Sequence, residues 1–347
     1  MKLGIAIEET WDFFHEIYKD LSSRHETSLF KRRTTKLRVA HSRINNYYFR
    51  NDLRALMQQN DVVFFEWASH LLEAASHMPK SCGIVTRLHR YEMYQFAERI
   101  QWEAVDRVIL VAKAKQDEFA RRFPAHAHKT VVVSPSTSLE KFKYADKPFN
   151  GDLGILCHLT PRKRVYDLIA LFYELQQRNP DLHLHVAGGP NQGFLDYWEA
   201  IQFLVRKFNL QNKVTLYGNV KETWDWYHKI DLFISNSYNE GLQVSPMEAM
   251  ASGCVCLSHH WDGAEELVPA ENLFVGPLAL SEKILNFCAL SEAEKRQQRQ
   301  AAHEWAVSHF DIQKTVAEIG IIVDEVAAER AGANKGGAVG NKGGAGR

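Results

Sequence analysis

Two carboxylates, Glu240 and Glu248, flank the segment GLQVSPM, with seven residues between them. Glu240 follows the apolar segment 231–235, which has the pattern of a buried strand. It therefore belongs to the loop at the carboxyl end of that strand, where open α/β sheets bind ligands. Carboxylate oxygens accept hydrogen bonds through several lone pairs, so the two side chains could hold the hydroxyl groups of a ligand.

A purely local interpretation explains one of the two acids. Ser245 is a suitable N-cap, Pro246 suits the first helical position, and Glu248 comes three residues after the cap. This pattern predicts a capping box worth roughly 1 kcal/mol. Gly253 is expected to end the same helix. On this interpretation Glu248 only starts a helix and Glu240 has no role, and the spacing alone leaves both interpretations open.

The elements that would position these acids alternate regularly along the chain. Short apolar segments typical of buried strands are separated by segments with helical spacing of apolar residues. The predicted strands are 2–7, 61–65, 82–86, 106–112 and 129–134, followed by 152–159, 182–189, 213–218, 231–235 and 254–259. The pattern predicts an α/β protein with two doubly wound, Rossmann-like parallel-sheet domains.

The domain boundaries follow from changes in composition. We predict an N-terminal domain at 1–140 and a C-terminal domain at 150–310, joined by a linker rich in Pro, Ser and Gly. A helix at 311–330 could pack back on the N-terminal domain. The Gly- and Ala-rich tail at 331–347 is expected to be disordered.

Charge and cysteine content limit the partners and the compartment. The formal net charge of the 347 residues is zero, which argues against a nucleic-acid partner. The segment from Arg24 to Arg54, however, contains nine Lys or Arg residues and only two acidic residues. That run is either a solvated face or a contact with an anionic acceptor or membrane. Five cysteines without a Cys-x-x-Cys pair, and no signal-like N-terminus, predict a cytoplasmic protein, with a peripheral position at the inner face of the membrane left open.

Several common chemistries lack their motifs. No G-x-G-x-x-G follows the first strand, and there is no Walker A sequence, no Asp-x-Asp and no hydrolase nucleophile elbow. The histidines lack partners at metal-binding spacing, so we expect no metal site.

Three segments of the second half together resemble the nucleotide-binding domain of family 4 retaining glycosyltransferases. They are CHLTPRKRVYDLIALF, HVAGGP, and the stretch from VTLYGNV to SPMEAMASGCVCLS. The resemblance covers about 150–270 well and the first half only in outline. It implies the GT-B architecture, in which two Rossmann-like domains face a cleft.

The resemblance also assigns roles to individual residues. Glu240 would face the hydroxyls of the donor sugar, Glu248 would bind the ribose, and Lys163 would bind the donor diphosphate. The helix after the loop would point its free amides at the same diphosphate. The residues of that loop over the phosphates are Gly241, Leu242, Gln243 and Val244.

The chain departs from the family pattern at several positions. His158 stands where an arginine is usual, and Arg162 or Arg164 would have to supply the missing charge. After the first strand the chain has EETWD instead of a Gly-Gly turn. His89 follows a predicted strand and is either a group at the reacting centre or a structural histidine. Its neighbours Arg87 and Arg90 are either ligand contacts or surface charges.

These observations predict a retaining glycosyltransferase without a cofactor or an obligatory metal. It would move a sugar from a nucleotide diphosphate donor to a hydroxyl of a glycan or lipid-linked acceptor. A nucleotide-sugar epimerase on the same fold and a non-catalytic glycan- or nucleotide-binding protein are the alternatives. The sequence does not predict the base, the sugar, the linkage or the oligomeric state.

Overall fold

The strands of the protein form two six-stranded sheets. The computed structural model describes residues 1–11, 14–35 and 41–339. All strand pairs within these residues are parallel. The first sheet contains β1 Lys2–Ala6, β2 Glu26–Leu29, β3 Val62–Phe65, β4 Gly83–Leu88, β5 Arg107–Leu110 and β6 Thr130–Val132. The second contains β7 Asp152–Leu156, β8 His183–Ala187, β9 Val214–Gly218, β10 Leu232–Ser235, β11 Val255–His259 and β12 Leu273–Phe274.

The strand order gives each sheet one point where the chain reverses its direction of winding. The first sheet runs β2-β1-β3-β4-β5-β6, so its reversal lies between β1 and β3. The second runs β12-β11-β10-β7-β8-β9, and its reversal lies between β7 and β10. The predicted α/β class with two doubly wound parallel sheets is therefore confirmed. Crevices at such switch points are where doubly wound sheets bind ligands.

Helices connect the strands, as parallel pairing requires. They are α1 His15–Arg24, α2 His41–Gln59, α3 His70–Ser76, α4 Arg90–Gln95, α5 Lys113–Arg122, α6 Val165–Arg178, α7 Leu195–Lys207, α8 Thr223–Tyr227, α9 Val244–Ala251, α10 Gly276–Ala289, α11 Glu292–His309 and α12 Ile312–Val339. In α6 the buried residues Leu168, Ile169 and Phe172 recur at helical spacing and pack in the core of the second sheet.

The chain divides into two compact units. One contains 1–134 together with 313–347, and the other contains 135–312. The predicted linker separates β6 from β7 and contains no helix or strand. Helix α12 extends to Val339 and so overlaps the first part of the predicted tail. Residues 340–347 lie outside the described residues.

The chain contains no helix, within its described residues, that is long and apolar enough to cross a bilayer. The five cysteines are free.

Candidate functional site

The switch point of the second sheet brings together two loops that are far apart in sequence. β7 is followed by a 3₁₀ turn at Pro161–Lys163, and β10 is followed by the loop that carries Glu240. β7 and β10 are adjacent and parallel, so their carboxyl ends lie at the same edge of the sheet. Lys163 and Glu240 therefore meet across 77 positions of sequence.

Three side chains converge on one oxygen of Glu240. Lys163 Nζ lies 2.7 Å from Oε1, Gln243 Nε2 lies 2.7 Å from the same oxygen, and Arg162 forms an ion pair with it. Glu240 itself is only 7% exposed. Charge-assisted hydrogen bonds of this kind are roughly twice as strong as neutral ones. The loop is thus held in place by its own carboxylate.

The pKa of Glu240 reflects this pairing. Burial alone would raise the pKa of the carboxyl, but the charges of Lys163 and Arg162 lower it to about 2. Glu240 is therefore a carboxylate throughout the physiological range and can accept hydrogen bonds but not donate a proton.

Gln243 connects the loop to the end of β10. Its side chain bonds the hydroxyls of Ser235 and Ser237 as well as Glu240. Since this amide stays inside the loop, Gln243 does not cap α9 although it occupies the N-cap position. Gly241 and Leu242 are buried, and Val244 begins the helix. The first backbone amides of α9 thus lack a side-chain cap, which leaves an N-terminus suited to an anion.

The predicted capping box is wrong. α9 begins at Val244, so Ser245 and Pro246 lie inside its first turn, and Glu248 comes in the next turn. The physical reason is that Gln243 already occupies the cap position in an extended conformation. The predicted end of the helix is confirmed, because Gly253 follows the C-cap with a φ of 92°.

Glu248 has a different partner from the one that the sequence predicted. Its Oε2 accepts a hydrogen bond of 2.8 Å from the buried hydroxyl of Tyr227, which ends α8. Burial raises the pKa of Glu248 to about 7, although the bond from Tyr227 and the charge of Lys141 act in the opposite direction. Sequence reasoning missed Tyr227, because nothing local marks a tyrosine 21 residues away as the partner.

Arg164, a candidate for the missing phosphate-binding charge, and His158, which stands in place of the usual arginine, differ in environment. Arg164 has a left-handed backbone with φ of 50°. Its guanidinium donates to the backbone oxygen of Asn236 at 2.7 Å and to the side-chain oxygen at 2.9 Å. His158 is exposed. Arg162, which contacts Glu240, is therefore the arginine that the structure brings to the cluster.

His89 lies in the other unit, as the N-cap of α4 after β4. Its ring lies against that of Trp67, with centroids 4.4 Å apart and the planes tilted by 30°, and its Nε2 is 3.8 Å from Glu66 Oε1. Burial lowers the pKa of His89, so that the ring is neutral at physiological pH. Arg87 is 1% exposed and donates to Glu66 at 2.6 Å. The interpretation of Arg87 as a surface charge is therefore wrong.

The described residues contain no group of three His, Cys, Asp or Glu side chains that could hold a metal ion. The groups at the switch point of the second unit instead offer two cations, two carboxyls and an uncapped helix start. This set can bind an anion and hydroxyl groups next to each other.

Comparison with known proteins agrees with this geometry. Residues 151–289 match the family model described as glycosyl transferases group 1. The tRNA-queuosine alpha-mannosyltransferase of Drosophila melanogaster is 25% identical over 153 residues, 43% of this chain and 39% of that protein. The match to this relative and the match to Protein CapJ of Staphylococcus aureus each cover less than half of the relative's own length.

Several solved structures match almost the whole chain. Sucrose-phosphate synthase from Thermosynechococcus elongatus has a TM-score of 0.77 and 15% identity, and the match covers 95% of this chain and 100% of that one. Anabaena Alr3699/HepE, in complex with UDP and glucose, has a TM-score of 0.74 and 17% identity, with 93% and 99% covered. At such identities the likeness establishes the fold, which is that of GT-B glycosyltransferases. The match to glycosyl transferases group 1 is confined to residues 151–289.

Proposed function

We propose that the chain is a retaining glycosyltransferase of family 4. It moves a sugar from a nucleotide diphosphate donor to a hydroxyl of a glycan or lipid-linked acceptor, without a cofactor or an obligatory metal. The observation that carries the proposal is the convergence of Arg162, Lys163 and Gln243 on Glu240 beside the uncapped start of α9.

The two cations and the helix start suit the diphosphate. Lys163 and Arg162 supply two positive charges at the switch point, and the first amides of α9 add hydrogen-bond donors. When the bond between sugar and diphosphate breaks, negative charge develops on the departing phosphate oxygen. Cations fixed beside that oxygen stabilise the transition state without a metal ion.

Glu240 suits the donor sugar. In the structure its carboxylate pairs with Lys163 and Arg162, so all three groups are held in one place. Phosphate oxygens can take over the two cations while sugar hydroxyls donate to Glu240. The exchange leaves none of these buried charges unpaired, which keeps the cost of desolvation low.

Glu248 suits the ribose. Its carboxyl lies at the second turn of α9 and is held by Tyr227, while the helix start points its amides at the phosphates. Ribose hydroxyls donating to Glu248 would favour its charged form. Binding of a nucleotide is therefore coupled to the loss of a proton from this side chain.

The test has two stages. A thermal-shift series of UDP, GDP, ADP, CDP and the corresponding nucleosides identifies the base, because a ligand at 100 times its Kd stabilises by about 2.7 kcal/mol. Incubation with the matching nucleotide sugar and glycan acceptors, followed by mass spectrometry, then detects transfer. Retention is read from the anomeric configuration of the product. Isomerised donor without transfer would identify an epimerase, and no binding of any nucleotide would refute the proposal.

A further inference from the structure

The switch point of the first sheet also collects polar side chains. β1 is followed by Glu8 and Glu9, β3 by Glu66 and Trp67, and β4 by His89. β3 pairs with both β1 and β4, so these residues share the carboxyl edge of three adjacent strands. Nothing in the proposed binding of the nucleotide uses this group, since it belongs to the other compact unit.

Many polar atoms at this edge are buried without a hydrogen-bond partner. They are Glu66 Oε2, Ser69 Oγ, Arg87 Nε, His89 Nε2 and both carboxyl oxygens of Glu92. Glu66 and Glu92 are 0% exposed and Arg87 is 1% exposed. Buried polar atoms in folded proteins are nearly always paired, so a concentration of unpaired ones at a switch point indicates a place for a polar ligand.

The side chains at this edge are held in fixed positions. The ion pair of Arg87 Nη1 with Glu66 Oε1, at 2.6 Å, fixes two of them. Trp67 is held by two contacts, because its indole donates to the backbone oxygen of Thr10 at 3.2 Å and its ring lies against that of His89. The cluster therefore presents preorganised donors and acceptors next to a partly exposed aromatic ring.

The charges at this edge largely cancel. Arg87 neutralises Glu66, and Arg32 lies 2.6 Å from Glu8. Burial and the charges of Glu9 and Glu66 raise the pKa of Glu92 to about 8, against the effect of Arg87. Glu92 is therefore a neutral carboxylic acid at neutral pH, which can both donate and accept a hydrogen bond.

We propose that Glu66, Arg87, His89 and Glu92 form a binding site for an uncharged polyol, a sugar ring with neighbouring hydroxyl groups. Each hydroxyl both donates and accepts, which suits a cluster that holds unpaired donors as well as unpaired acceptors. A phosphate or carboxylate would face the carboxylates of Glu9 and Glu66, and a cation would leave the Nε donor of Arg87 unpaired.

This inference rests on the proposed function, because the polyol is then the acceptor. It assigns that acceptor to the neutral class, whereas the basic run between Arg24 and Arg54 had left an anionic acceptor open. Two arginines of that run are already paired with acids, Arg32 with Glu8 and Arg33 with Asp52.

The test measures binding rather than transfer. Methyl glycopyranosides of gluco, galacto, manno and xylo configuration, and the 6-phosphates of the hexoses, are titrated up to tens of millimolar with ligand-detected NMR. We expect at least one neutral glycoside to bind, with its phosphate at least about tenfold weaker. No binding in the whole series, or tighter binding of the phosphates, overturns the proposal.

Variants locate the site within the first unit. Glu92→Leu fills the same volume without hydrogen bonds and should weaken binding of the glycoside by about tenfold or more. Glu92→Gln keeps a donor and an acceptor and should restore binding to within about twofold. Glu73→Gln is the matched control, because this acid on α3 pairs with Arg99 instead of the cluster. Circular dichroism and a cooperative thermal unfolding transition show that each variant is folded.

The outcomes separate the two proposals. Glycoside binding that depends on Glu92, without transfer to any acceptor, would contradict the proposed function and leave this site standing. Transfer to an acceptor whose affinity does not change in Glu92→Leu would overturn the site and leave the proposed function standing.

Discussion

Replacing Glu248 by Gln should make the protein more stable above pH 7 while weakening the binding of nucleotides. The pKa of Glu248 is raised from 4.5 to about 7 because the carboxyl is buried. A carboxyl whose pKa is raised by folding stabilises the folded state fully below pH 4.5. This stabilisation is lost as the pH rises through 7. Gln cannot ionise, and its side-chain oxygen can still accept the hydrogen bond from Tyr227.

The size of the effect follows from the shift. At about 1.4 kcal/mol per pKa unit, the rise from 4.5 to about 7 corresponds to at most roughly 3 kcal/mol at alkaline pH. Relaxation of the folded state reduces this value. We therefore expect the difference in unfolding free energy between Glu248→Gln and the wild type to favour the variant by about 1 to 3 kcal/mol more at pH 8 than at pH 5. A capping box would not give this result, because Gln can take the place of Glu in it and the difference in stability would stay small at every pH.

Thermal unfolding of both proteins from pH 5 to pH 9 gives the stability difference as a function of pH. Glu199→Gln, which changes an exposed acid on α7, serves as the control for the altered net charge. Calorimetry at pH 8 should show a loss of about tenfold to a hundredfold in affinity for nucleoside and nucleotide alike, since both contain the ribose. A variant less stable than the wild type at pH 8, or a stability difference that does not change with pH, would refute the reasoning.

Three further predictions concern the other groups. Lys163→Ala should weaken nucleotide diphosphate binding by about tenfold or more and leave nucleoside binding unchanged, because Lys163 contacts only phosphate. Equal losses of affinity for the two ligands in calorimetry would show that Lys163 does not bind the phosphates. Glu240→Gln should lower the rate of transfer by about tenfold to a hundredfold while nucleoside diphosphate still binds, since that ligand has no sugar for Glu240 to hold; an unchanged turnover number would remove Glu240 from the site. If the run between Arg24 and Arg54 contacts a membrane, sedimentation with anionic vesicles should fall steeply from low to physiological salt; no sedimentation at low salt would return the run to a solvated face.

Most of the fold could be predicted from the sequence, since buried parallel strands are recognisable as short apolar segments. The two strands that were missed carry too little of that signal. β2 has the polar sequence ETSL and lies at the edge of its sheet, and β12 has only two residues. The segment 92–105 has apolar residues at helical spacing, but the structure has the end of α4 there, followed by two 3₁₀ turns, a break that periodicity alone does not reveal.

The candidate site was predictable only in part, because its pairings are tertiary. Lys163 and Glu240 could be assigned to one site through the resemblance and through the rule that strand ends share an edge. The bond from Tyr227 to Glu248 and the burial of Arg87 depend on packing between distant segments. A charged residue in a sequence is normally exposed, so local reasoning assigns a buried ion pair to the surface.

Both switch points use the same physical arrangement. Glu240 is buried against Lys163 and Arg162, and Glu66 is buried against Arg87. Such pairs add little net stability, because the cost of removing the ions from water offsets their attraction, whereas loss of one partner costs about 3 to 5 kcal/mol. Their physical advantage is preorganisation. A ligand that exchanges contacts with them meets charges that have already lost their water and are fixed in place. The folding of the chain has then already supplied the free energy of desolvation.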